Sequence, residues 1–189
     1  MQFTVHQYNR YCLHEEPSYQ HPHVCYNQTM QDISNYEKIR QDSENFYRKI
    51  GKIACPAFKN ELVYFTSEGF NHLIFKGNRT ERTKHDQITK LKLLGRAIEL
   101  VRIATTYQEY EESIKEFTIK KFKQRVRESK IVKYWGLIAI MNSFKIKVIV
   151  RQVGDNGQRH FWSVIPNWVT SQYRDMKLRS HMKGNPDDD

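Results

Sequence analysis

Hydrophobic alternation switches on abruptly in the last third of this chain. Ile131–Met141, Phe144–Val153 and Arg159–Ile165 read as three consecutive strands. Successive strand side chains point to opposite faces. On Phe144–Val153, Ile146, Val148 and Val150 therefore point one way, and Lys147, Ile149 and Arg151 the other. On Arg159–Ile165, Arg159, Phe161, Ser163 and Ile165 share one face, with His160, Trp162 and Val164 opposite. A bulge would shift this pattern, so whether Arg151 faces Ser163 or His160 stays open. Gly154-Asp-Asn-Gly157 is a hairpin signal, because Asn-Gly accepts positive φ cheaply. The pattern predicts an antiparallel meander over residues 131–166.

Upstream the period changes to that of helices. Residues 31–51 read as a helix with Ile33, Tyr36, Ile39 and Phe46 on one face, and residues 61–66 as a short strand. Ser67 is expected to cap a helix over Glu68–Phe75, with Phe70, Leu73 and Ile74 on one face and His72 and Lys76 on another. Residues 76–84 form a basic loop. Asp86 is expected to cap a helix over about Gln87–Thr105, lined by Leu91, Leu94, Ile98 and Val101, with Lys90, Arg96 and Arg102 outside. A further helix is expected at about Gln108–Glu128, with Tyr110, Ile114, Phe117 and Phe122 inward and its lysines and arginines outward. The first 30 residues read as irregular, with one short strand at Gln2–Val5, and the tail from Ser171 is polar. The sum is an α+β fold, N-terminal helices packed on a C-terminal antiparallel sheet. Its expected parts are an extension over 1–60, a main domain over 61–170 and a polar tail over 171–189.

Charge narrows the function. The 189 residues carry 31 Lys and Arg against 21 Asp and Glu, a formal +10. Such a surface attracts polyanions, nucleic acid above all. Mean hydropathy is -0.77, no run is long enough to span a bilayer, and Met1–Arg10 lacks an apolar signal core. With three cysteines, an odd number, these features predict a cytoplasmic protein without a disulfide framework or membrane partner.

Val63-Tyr-Phe-Thr-Ser-Glu-Gly-Phe-Asn-His72-Leu-Ile, then Arg79, Arg82 and His85, then His160-Phe-Trp-Ser-Val-Ile-Pro166, form a recognisable series. Over about residues 61–168 it resembles phage- and mobile-element-associated members of the barnase/EndoU/colicin/RelE-like ribonuclease superfamily. The resemblance implies a cleft holding His72, His85, Arg151 and Ser163, RNA as substrate, no cofactor or metal, a toxin role and an acidic inhibitor protein as partner. Two arginines between the histidines leave the essential cation open. Lys76, Arg79, Arg82, Lys120, Lys121, Lys123 and His160 are the expected RNA contacts.

The chemistry stands independently of the name. Metal-free RNA cleavage needs a base for the ribose 2′-hydroxyl, an acid for the leaving 5′-oxygen, and cations for the pentacoordinate phosphorane. Histidine serves either proton role. Arginine offers a planar fork to phosphate oxygens, Ser163 a hydroxyl, and Tyr134 or Trp162 a stacking face for a base. The plainer reading makes the histidines solvated or capping residues and Trp135 and Trp162 core. Cys12, His14, His21, His23 and Cys25 hold zinc-type donors in no common finger spacing, so a polar loop is the default there. The alternative function is a non-catalytic nucleic-acid-binding protein of a phage or mobile element.

Overall fold

The computed structural model describes residues 33–77, 79–121, 124–141, 144–167 and 187. Among the described residues four α-helices and a short 3-10 turn accompany a six-stranded sheet, an α+β fold. The helices are α1 (Tyr36–Ile50), α2 (Ser67–Ile74), α3 (Lys84–Lys92) and α4 (Leu94–Ile103). The strands are β1 (Lys52–Cys55), β2 (Glu61–Tyr64), β3 (Glu109–Lys121), β4 (Gln124–Met141), β5 (Phe144–Val153) and β6 (Arg159–Asn167). Their order across the sheet is β1-β2-β6-β5-β4-β3. Every neighbouring pair is antiparallel except β2 and β6, which run parallel. Residues 36–60 thus supply a helix and a strand to the same sheet and core as the rest.

The expected meander of β4, β5 and β6 is present. Its last turn rests on Gly154, which alone in residues 154–157 has positive φ, at 73°. Gly157 closes the turn through a bond from its N–H to the Gly154 carbonyl.

One face of the sheet carries the main core. Ile146, Val148 and Val150 of β5 meet Phe161 and Val164 of β6, Leu137 of β4, Leu73 of α2, and Leu94, Ala97 and Val101 of α4. Helix α2 lies hard against β6. A Cβ at Gly69 would stand 2.5 Å from the Tyr47 hydroxyl, besides meeting the Phe161 carbonyl.

Several expectations are corrected. The helix expected over 108–128 is the β3–β4 hairpin, paired from Glu109↔Gly136 to Lys121↔Gln124. Tyr110 and Ile114 fall on one face of β3 and Phe117 on the other, so the supposed apolar stripe is split. From Ile114 to Ile131 this hairpin runs past β5, which pairs with β4 only from Val132 onward, and forms a two-stranded arm. The single helix over 87–105 is two, broken at Leu93. Thr83, not Asp86, caps α3, accepting from the Asp86 N–H at 3.1 Å. Thr66, not Ser67, is the cap position of α2. Ile33 and Phe46 are exposed, and α1 buries Tyr36 and Tyr47 instead. The expected strand at Gln2–Val5 and the Cys12–Cys25 donors lie outside the described residues.

Candidate functional site

A β-bulge builds the site. The β5–β6 register steps from Ile149↔Ser163 to Val150↔Phe161, leaving Trp162 as an extra residue on β6. Directly opposed residues share a face. Arg151↔His160 and Ile149↔Ser163 therefore lie together, on the face away from the main core. Strict alternation would have set His160 and Ser163 on opposite faces; the bulge unites them. Trp162 joins Val132, Tyr134 and Ile149 in a second, smaller cluster there.

Trp162 is the hub. The His72 ring stacks on it at 4.2 Å between centroids, 20° from parallel. The Arg151 guanidinium carbon stands 3.9 Å from the indole centroid. The His160 ring approaches edge-on at 5.9 Å. His72 comes from α2 and was expected on an open helix face, yet it is 4 % exposed. Lys90 of α3, expected outside its helix, is also buried, and it donates to Ser163 Oγ at 3.2 Å and to the Val164 carbonyl at 3.0 Å. Arg82 is buried and donates from Nε to the His72 carbonyl at 3.2 Å, fixing the end of α2.

Burial tunes the imidazoles. Desolvation first, then the charges of Arg82, Lys90 and Arg151, pushes His72 down to about 3, against a weaker upward pull from Asp187. Desolvation and then Arg151 push His160 down to about 4, opposed by the Gln158 carbonyl and Glu68. Both rings are neutral near pH 7. His160 Nδ1 lies 3.5 Å from the Gln158 carbonyl, and its Nε2 stands 4.0 Å from Glu68 Oε2. His160 Nε2, His72 Nε2 and Arg151 Nε make no hydrogen bond among the described residues, although each is buried. Unsatisfied buried polar atoms are costly.

Beside Arg82 and Lys90 lies a cleft of about 280 Å³, lined also by Lys76, Asp86, Thr89, Ile165 and Pro166. Five sequence-derived site residues thus gather around one region: His72, Arg82, Arg151, His160 and Ser163, with Lys76 at the cleft. Others stand apart. His85 is exposed in the first turn of α3, its carbonyl accepting from Thr89. Arg79 is exposed on the preceding turn. Lys120 is exposed on the arm, Lys121 ends β3, and Lys123 lies outside the described residues. Lys90, Lys115 and Asp187 were not singled out. Lys90 read as one of several outward cations on its helix. Only its contact across 73 residues to Ser163 marks it.

Among the described residues no group of three or more His, Cys, Asp or Glu is arranged to hold a metal, and no helix is long and apolar enough to cross a membrane. Comparisons with protein-family models, with curated proteins and with solved structures find no match to this chain.

Proposed function

We propose that this protein is a metal-independent endoribonuclease, cleaving RNA by attack of a ribose 2′-hydroxyl on the adjacent phosphate. The observation that carries the reading is the gathering of two neutral imidazoles and a guanidinium on Trp162. A neutral imidazole accepts the 2′-hydroxyl proton, and the imidazolium so formed returns a proton to the leaving 5′-oxygen. Arg151 stabilises the charge that builds on the phosphorane, in a desolvated setting where its effect is large. The orphaned Nε2 and Nε atoms are the donors and acceptors this chemistry calls for. A bound phosphate adds negative charge beside rings now surrounded by cations, which raises their proton affinity toward neutrality.

The test is incubation with total RNA in EDTA. Fragments should end in 2′,3′-cyclic phosphate. His72→Ala and Arg151→Ala should each slow cleavage by roughly 10²–10⁴, the usual worth of positioned proton transfer and charge stabilisation. The competing reading, binding without cleavage, draws on the basic arm. It predicts salt-sensitive RNA binding, no fragments, and binding indifferent to His72→Ala. An acidic inhibitor protein would meet the same cationic surface.

A further inference from the structure

A carboxylate from far along the chain sits on the site's own face of the sheet. Tyr134 O–H donates to Asp187 Oδ1 at 2.9 Å, Lys115 Nζ is paired with Asp187 Oδ2, and the Gly77 N–H donates to the Asp187 carbonyl at 2.6 Å. The ammonium and phenol that hold the carboxylate are themselves 3.0 Å apart. They come from adjacent strands, and Tyr134 is the cross-strand partner of Arg151. Burial works to raise the Asp187 carboxyl, but the Lys115 and Tyr134 hydrogen bonds and the Arg151 charge outweigh it and hold it below its ordinary range.

A carboxylate and a phosphodiester both present two anionic oxygens on one centre, so donors spaced for one suit the other. The Lys115–Asp187 pair keeps side-chain exposures of 28 % and 25 %, and partly exposed pairs are weak enough to exchange. Gly77 makes room for the visitor: a Cβ there would stand 2.7 Å from the Asp187 carbonyl oxygen and 2.9 Å from its Cβ.

We propose that Lys115, Tyr134 and Arg151 form an oxyanion pocket for an RNA phosphate, filled in the resting chain by Asp187, which substrate must displace. The proposal rests on the nucleic-acid reading above for the identity of the anion, and it adds self-occlusion of the site.

The test titrates the full chain with inorganic phosphate by calorimetry. Gly77→Ala expels the Asp187 backbone without altering charge, and Asp187→Asn removes the competing charge. Each should bind phosphate about tenfold more tightly than the wild type, since a site open only part of the time loses affinity by that fraction. Asp155→Asn, the same charge change at an exposed residue paired with Lys133, should stay within about twofold. Adding Lys115→Met to Asp187→Asn should abolish the gain. In the wild type, phosphate should erase hydrogen-exchange protection of the Gly77 amide. Gly77→Ala and Asp187→Asn binding no tighter than wild type, or unchanged Gly77 protection at saturating phosphate, overturns the proposal. These outcomes separate it from the catalytic reading: displacement of Asp187 without RNA cleavage supports the pocket and removes the ribonuclease, while cleavage with unaltered phosphate binding does the reverse.

Discussion

His72 is worth considering alone, because its burial sets both its chemistry and its cost. An imidazole whose folded pKa is depressed stabilises the fold fully above its unfolded value, near 6.5. As pH falls from there toward about 3, the unfolded chain takes the proton first and stability declines. His160 does the same down to about 4. Thermal melts at pH 7, 6 and 5 should show a falling midpoint, and His72→Phe should flatten the slope. The rate has its own signature. If a neutral ring is the base, kcat/KM should hold level on the acid side until close to pH 4, because that parameter reports the free enzyme. Arg151→Lys should not restore what Arg151→Ala loses. An ammonium offers neither the planar fork for phosphate nor the flat surface that lies over Trp162.

At the scale of elements the arm is the clearest departure from expectation. From Ile114 to Ile131 it holds seven Lys and Arg against two Glu. Each arm strand of about eight residues reaches roughly 25 Å. Its face bearing Thr118, Lys120, Arg125 and Arg127 is exposed throughout, and Ile114 is 75 % exposed. Reversing Lys120, Arg125 and Arg127 to Glu should weaken RNA binding alike across sequences and reduce the slope of log affinity against log salt by about 2, at roughly 0.7 per lost single-strand phosphate contact. Salt titrations of a short RNA would measure it. The arm was misread because Tyr110, Ile114 and Phe117 happen to satisfy helical spacing. Of the arm's apolar side chains Phe117 packs against the smaller core cluster, on the face opposite Ile114, and cross-strand pairing such as Ile119↔Val126 is invisible to local periodicity. The meander was legible because each of its strands is buried on a face. The site was legible in part. Arg151 stands out as a polar group among apolar neighbours, and His72, His160 and Ser163 through the resemblance, but the bulge at Trp162 that gathers them depends on pairing between strands. Lys90 was hidden for the same reason.

Over the whole molecule, two buried features join distant segments. Gly69 permits α2 to touch β6, and a methyl group there would strike backbone, which cannot swing aside. Gly69→Ala should cost about 1–3 kcal/mol, read from denaturant melts. Glu109 and Lys147 form an ion pair at 3.3 Å, with side chains 12 % and 11 % exposed, laid across Gly136. Glu109→Ala leaves the lysine uncompensated and should cost about 3–5 kcal/mol by the same measurement. Neither could be anticipated from composition, since each is a meeting of positions far apart in the chain.

The parallel seam between β2 and β6 has a consequence in time. Val63 meets Arg159 and Tyr64 meets His160, so the sheet closes only by a contact spanning about a hundred positions. Such long-range pairing is slow, and its strands emerge far apart during synthesis. His72 is made early, while the tryptophan on which it stacks belongs to the last of the described strands. A growing chain that stops short of residue 159 has neither Trp162 nor His160 and so has no site. Under the proposed ribonuclease reading, the topology itself would keep the nascent chain harmless to its own template.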